Sequence, residues 1–408
     1  MNKIYEKWNS INLVLRILAG MIIGVGLGLL CPGLSGIAIP GTLFVNALKG
    51  IAPLLVFVLV ISSIANAKAD HKSNMGTVIM LYIASTILGA IVAVFASFIF
   101  PVSLTLIGTE ENIQSAPQGL ADVFVNLLNN IVSNPIGSIV NGNYIGILFW
   151  AAILGVLLKR SSDTTKAFLS DISDAVSGAV KIVISFAPFG ILGLVFDAIA
   201  NNGLNIFADY GKLILLLVGC MIFQAFVTNG ILVAASIKQN PFPLILTCAR
   251  ESGITAFFTR SSAANIPVNM QLCKKLGLDE DNYSVSIPLG STINMDGAAI
   301  TITVMTLAAC HTMNIATSIP AAILLSIIAT VSACGASGVA GGSLLLIPLA
   351  CSLFGISDDI SAQIVGIGFI ISVIQDSCET ALNSSSDVIM TAAAEFKQWK
   401  KDGKKLPF

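Results

Sequence analysis

The sequence predicts an all-α membrane protein of about eight transmembrane helices and two re-entrant helical hairpins that enter from opposite faces as inverted repeats. Three observations predict it. The chain is 55% hydrophobic and only 11% charged, where soluble proteins carry roughly 25% charged residues. Its apolar runs are mostly long enough to cross about 30 Å of hydrocarbon as helices. Its Lys and Arg residues collect in alternate loops, which fixes a sidedness.

The apolar runs lie at 11–31, 40–66, 76–100, 144–158, 175–199 and 209–237. The run 144–158 is short, and 118–143 is semi-polar and broken, as in an interrupted segment. Lys3, Lys7, Lys68, Lys72, Lys159, Arg160, Lys166, Lys238, Lys274, Lys275 and the lysines from Lys397 onward fall in one set of loops. The opposite loops, near 32–39, 102–120, 200–208, 311–317 and 354–360, hold no Lys or Arg. The positive-inside rule then places both termini in the cytoplasm. Lys49, Lys181 and Lys212 lie inside runs and are expected to snorkel or pack. The first ten residues show no signal-peptide pattern.

Sidedness also constrains the chain beyond residue 240. Lys238 and Lys274 are both cytoplasmic, so 241–273 enters and returns from inside. The loops at 311–317 and 354–360 are both outside, so 318–352 enters and returns from outside. Each segment, at about 35 residues, is too short for two full spans. The tips TRSSAANIP and CGASGVAGG are non-helical in composition, and backbone at that depth must be buried in protein or line a cavity. The expected division is a scaffold at 1–240, a transport core at 241–396 and a basic cytoplasmic tail at 397–408.

The polar residues inside these apolar segments carry the chemistry. Asp376, Glu379, Thr380, Asn383 and Asp387 in DSCETALNSSSD recur at steps of three and four, so a helix puts them on one face. Such a stripe is costly in a membrane unless cations, water or a polar ligand lie beside it. Gly290 and Gly297 bracket STINMD, which permits unwinding, and free carbonyls with the Asp296 carboxylate suit Na+. Tyr82, Ser85 and Thr86 sit within one helical turn and either add oxygens there or simply face other helices. The first tip presents Thr259, Arg260, Ser261 and Ser262 ahead of a returning helix whose amide end suits a carboxylate. The second tip is permissive backbone, read either as a gate or as close helix packing. On these residues alone the chain reads as an ion-coupled importer of a small zwitterion.

Other classes find no support. The eight cysteines lie mostly in apolar runs with no CxxC pair, and His71 and His311 lie in predicted loops, so a zinc site is not expected. No Walker or GxSxG pattern occurs, and neither histidine lies in a span to serve an intramembrane nucleophile.

Together, TRSSAANIP, NMDGA, GASGVAGG and DSCETALNSSSD resemble the dicarboxylate/amino acid:cation symporters, the glutamate-transporter fold. With RSSAANIPVNM and GNYIGIL the resemblance is nearest to the sodium-coupled serine/threonine branch. It implies one sodium site from Tyr82, Ser85, Thr86, Asn294 and Asp296, and a second from Gly290, Asn294, Asn383 and Asp387. It implies a third from Thr292 and Met295 with carbonyls of Ala333, Cys334 and Ala336. For the substrate it implies Asp376 on the ammonium, Asn383 and the Ser262 backbone on the α-carboxylate, Thr380 as a further contact, and Gly338 and Val339 at the outer gate. Members that carry acidic amino acids have an arginine where this chain has Glu379. A negative charge there argues for a neutral substrate. Glu379 is expected to pair with Arg260, neutralising both. Ala263, Ala298 and Ala340 depart from the usual residues of these motifs.

The expectation is a sodium-driven importer of serine and threonine in a bacterial inner membrane. The resemblance implies a homotrimer with Na+ as co-transported ion, no other cofactor and no nucleic acid partner. The rivals are an importer of acidic amino acids or dicarboxylates driven by sodium or protons, and a channel.

Overall fold

Helix boundaries obey capping chemistry and apolar length. The computed structural model describes residues 11, 13–66, 75–106, 133–141, 143–334 and 341–407. These are almost wholly helical, with no strand among the described residues. In order the helices are α1 (Leu13–Leu30), α2 (Ile39–Asn66), α3 (Met75–Ile99), α4 (Pro135–Val140), α5 (Tyr144–Leu158), α6 (Asp163–Ser185), α7 (Ala187–Asn202), α8 (Ile206–Phe223) and α9 (Asn229–Ile237). Next come α10 (Phe242–Cys248), α11 (Ile254–Thr259), α12 (Ser262–Lys275), α13 (Glu280–Ile293), α14 (Asp296–Thr312), α15 (Ile319–Ala333), α16 (Ile347–Ser352) and α17 (Asp358–Lys401). Side-chain caps from Asn143, Ser162, Ser261, Asp279, Ser318 and Ser357 each satisfy an amide in the first turn that the helix leaves unpaired.

Five helical stretches among the described residues are long and apolar enough to cross a membrane: Ser35–Asn66, Met75–Ile99, Ala208–Ile237, Glu280–Thr312 and Asp358–Lys401. A sixth is the bent pair Asp163–Ser185 and Ala187–Asn201. The chain is thus a helical, multi-span membrane protein. The apolar run 175–199 is not one straight helix. It breaks at Phe186 with a 51° bend, because Pro188 at the start of α7 has no N–H to continue the ladder of α6. His311 falls in the last turn of α14 rather than in a loop.

Burial sorts the spans. The most apolar windows of Glu280–Thr312 and Asp358–Lys401 are 94% and 83% buried, against 50%, 50% and 44% for the other three. The two stretches that carry the polar motifs are therefore central. The earlier helices pack on one another: α1 lies along α7, and α2 against α5, α6 and α7. The α1–α7 contact is close because Gly20, Gly24 and Gly28 present bare backbone to Pro188, Leu192 and Ile199. Helix α3 differs from these in packing on α14.

The first hairpin is α10 and α11, joined by a wide π-helical turn at Ala249–Gly253, with α12 returning. Its arms are antiparallel: Glu251 meets Lys275 at 2.6 Å, and Ser252 Oγ donates to Asn269 Oδ1 at 2.5 Å. In the second, α15 is followed by a 3-10 turn at Ser343–Leu346 and by α16, both of which touch α15. Ala336, Gly338 and Val339 at its tip lie outside the described residues, as do Lys3, Lys7, Lys68, Lys72, His71 and most of 118–143. Lys212 is an exposed residue of α8 that lies 3.5 Å from Asp209.

Candidate functional site

The long helix α17 presents its stripe to the first hairpin, to α13 and α14, and to the return of the second hairpin. Asp376, Glu379, Thr380, Asn383 and Asp387 are all buried on it.

Asp376 joins both hairpins. Arg260 Nε donates to its Oδ2 at 2.7 Å, with the two side chains only 8% and 3% exposed. The Gly341 amide donates to its Oδ1 at 3.1 Å. Both tip residues are left-handed, at φ +52° and φ +72°. This corrects one expectation, because Arg260 pairs with Asp376 and not with Glu379. The two acids sit one turn apart on α17, and the arginine at the end of α11 reaches the earlier of them. Glu379 is held instead by neutral donors. Thr301 Oγ1, Ser343 Oγ and Gln375 Nε2 all reach its Oε2, at 2.8, 2.8 and 2.6 Å. Thr380 turns its hydroxyl back to the Asp376 carbonyl at 2.7 Å. Ser262 is buried in the first turn of α12, where Ser261 caps the Ala264 amide and the Ser262 and Ala263 amides have no acceptor within the helix.

The sodium candidates form two buried groups. In the first, Ser85 Oγ lies 2.6 Å from Asp296 Oδ2 and Thr86 Oγ1 donates to Asp296 Oδ1 at 3.2 Å. Tyr82 shares their helix, but its hydroxyl points to Thr391 Oγ1 and the Ser286 carbonyl, at 2.9 and 3.1 Å. In the second, Asn294 Nδ2 donates to Asp387 Oδ1 at 2.9 Å. Gly290 lies against this pair, since a Cβ built there would come within 2.7 Å of Asp387 Oδ1. Asn294 thus joins Asp387 rather than Asp296. Asn383 ends on α14, where its Oδ1 accepts from the Gly297 amide at 2.7 Å and its Nδ2 lies 3.4 Å from Met295 Sδ. Of the third implied set, Cys334 Sγ meets the Ile293 carbonyl at 3.4 Å. Thr292 bonds within its own helix, and Ala333 is buried at the end of α15. The helix break at Asn294–Met295 lies between α13 and α14, where Gly290 and Gly297 bracket it.

Unpartnered oxygens test whether these groups suit a cation. Asn294 Oδ1 and Asp387 Oδ2 are fully enclosed and accept no hydrogen bond. A buried acceptor left bare costs about 1–3 kcal/mol, and an alkali ion satisfies such oxygens. The residues present therefore fit an alkali ion such as sodium.

Sequence reasoning missed a second layer. Gln224 and Asn229, at the two ends of a π-helical turn between α8 and α9, close over Asp296. Gln224 Nε2 donates to the Ser85 carbonyl at 2.9 Å, and Asn229 Nδ2 to Asp296 Oδ2 at 3.4 Å. Gln224 Oε1 is another enclosed oxygen with no partner, beside Asp296. Two polar residues in the middle of an otherwise apolar run were the available signal. A further network fastens the first hairpin to α17: Asn265 and Asn269 Nδ2 donate to Ser384 Oγ at 2.8 and 3.0 Å.

Comparison with known proteins covers the N-terminal helices and the stripe alike. Residues 13–396 match the model of the Sodium:dicarboxylate symporter family. A protein of Bifidobacterium adolescentis described as Serine/threonine transporter SstT is 56% identical over 401 residues, which is 98% of this chain and 93% of that protein. A match that runs from α1 to the end of the polar stripe leaves one assignment: the chain belongs to the sodium:dicarboxylate symporter family.

Proposed function

We propose that the chain carries serine and threonine into the cell together with sodium, by alternating access. The observation that carries this is the composition of the α17 stripe. Asp376 offers a carboxylate to an ammonium between the two hairpins, while the next turn offers Glu379, an acceptor, where an acidic side chain would need a cation. The 56% identical relative is described as a serine/threonine transporter, which agrees.

In this reading 241–396 is the moving core and 1–240 the scaffold. Eight spans and two re-entrant hairpins make the membrane domain, with both termini cytoplasmic, in the bacterial inner membrane as a homotrimer. Sodium occupies the oxygens around Asp296 and around Asn294 and Asp387, with Thr292, Met295 and the second hairpin as a third position. The substrate ammonium replaces the Arg260 guanidinium at Asp376. The substrate carboxylate goes to Asn383 and the Ser262 amide, and the second hairpin closes over the bound pair. Dicarboxylates fit less well, because they bring no ammonium to replace the Arg260 guanidinium at Asp376.

Uptake of radiolabelled serine into proteoliposomes tests the proposal. Accumulation above equilibrium with an inward sodium gradient is expected. Equal uptake without sodium, or competition by aspartate as strong as by threonine, overturns it.

A further inference from the structure

Glu379 is anchored more firmly than the exclusion of acidic substrates requires. Its Oε2 takes three donors from three elements: Thr301 on α14, Ser343 on the return of the second hairpin, and Gln375 one turn back on α17. Gln375 Nε2 also donates to Thr301 Oγ1 at 2.8 Å, so the donors form one network. The approach is close because Gly297 lies against the Glu379 backbone, where a Cβ would meet Glu379 Cα at 2.9 Å. That contact brings Thr301, one turn further along α14, within reach. Three donors saturate one oxygen of a carboxylate that has about four acceptor positions. The other oxygen, Oε1, accepts no hydrogen bond from the described residues, all three donors being on Oε2.

The geometry points to Thr301, Ser343 and Gln375 as positioning residues that fix Glu379 in one rotamer and present its Oε1 as the acceptor for the substrate hydroxyl. This rests on the proposed function and adds a physical basis for choosing a hydroxyl amino acid over its methyl counterpart. Serine and threonine each bring one O–H donor to this acceptor, and alanine brings none. A hydrogen bond gained converts to about a 2- to 12-fold preference. The positioning matters because a carboxylate free to rotate loses part of that bond to water. Ser343 also ties the acceptor to the return of the second hairpin.

The test is the ratio of alanine to serine competition against labelled threonine uptake in sodium-driven proteoliposome assays. In the unmodified protein alanine is expected to compete severalfold more weakly than serine. Thr301→Val, Ser343→Ala and Gln375→Leu should each weaken serine severalfold and leave alanine within about twofold, shrinking the ratio. Glu379→Gln should shrink it most. Thr301→Ser, which keeps the hydroxyl, should restore the ratio lost in Thr301→Val. A structural role alone would weaken both amino acids together and leave the ratio unchanged, and that result overturns the inference. Equal competition by alanine and serine in the unmodified protein overturns it too. Absence of sodium-driven threonine uptake in the unmodified protein instead overturns the proposed function, which keeps the two failures apart. Should a variant not yield active vesicles, serine- and alanine-induced shifts in the melting temperature of the purified protein supply the same ratio.

Discussion

Gly290→Ala is the sharpest test of the second sodium position. The added Cβ would stand 2.7 Å from Asp387 Oδ1, 2.8 Å from Tyr82 Oη and 3.0 Å from Asp387 Cγ. Carbon and oxygen settle at roughly 3.3–3.6 Å, so each oxygen must retreat by roughly 0.6 Å. Neither has room to do so. Asp387 is held by Asn294 at 2.9 Å, and the Tyr82 hydroxyl by Thr391 at 2.9 Å, all fully buried. Overpacking of this kind costs about 1–3 kcal/mol. If the strain falls on the sodium-bound state, the sodium concentration for half-maximal serine uptake rises about 5- to 150-fold. The measurement is a sodium titration of serine uptake at fixed serine, with melting temperature recorded with and without sodium. Gly26→Ala on α1, where nothing lies within 4 Å of the new carbon, serves as control. A Gly290→Ala protein that melts normally and shows the unmodified sodium dependence would refute the placement of the ion against Asp387.

Four further outcomes are expected. Arg260→Ala leaves the Asp376 carboxylate buried and unpaired, which costs the empty protein about 3–5 kcal/mol; the melting-temperature gain on adding serine and sodium should therefore exceed that of the unmodified protein. Asp376→Asn removes the ammonium partner and should abolish serine uptake, while purified protein still gains thermal stability from sodium. Asp296→Asn and Asp387→Asn should raise the sodium requirement at least about tenfold, as expected for losing one charged ligand to an ion, read from uptake titrations. Gln224→Leu removes a donor to the Ser85 carbonyl and an enclosed oxygen beside Asp296, and should raise the sodium requirement without changing the serine-to-threonine ratio.

Hydropathy reveals the helices because length and apolar composition are local properties. The runs at 40–66 and 76–100 differ by a residue or so from α2 and α3. The stripe was legible for the same reason, since a period near 3.6 needs no tertiary knowledge. The features that escaped depend on depth and rotation between elements. The bend at Phe186 lies within an unbroken apolar run, where only Pro188 marks it. The partner of Arg260 turned on how far the first hairpin reaches along α17, and one turn decides between Asp376 and Glu379. Asn294 was expected at both ion positions, and the backbone at the helix break directs its side chain to Asp387. Thr301, Ser343 and Gln375 carry no charge and so do not stand out in an apolar run, although Gln375 lies four residues before Glu379 and shares its face.

The buried charges themselves argue for a cation-coupled cycle. Among the described residues the buried charged side chains are Arg260, Asp296, Asp376, Glu379, Asp387 and Glu395. Glu395 sits apart, near the end of α17, where it accepts from the Asp279 amide and Asn282 at 2.9 and 3.1 Å. The rest set four acids against one arginine, and that arginine neutralises only Asp376. A zwitterion adds no net charge when it displaces the guanidinium, whereas an acidic substrate deepens the imbalance. Uncompensated charge in a dry site is costly, so these acids need protons or bound cations to offset them. A proton and a sodium ion would each reduce the imbalance. A proton satisfies one oxygen, while enclosed oxygens left bare on both Asn294 and Asp387 call for an ion that several oxygens can share. Serine accumulation driven by a sodium gradient at equal pH on both sides is the expected consequence. Accumulation driven by a pH gradient in sodium-free vesicles would show that the proton fills these positions instead.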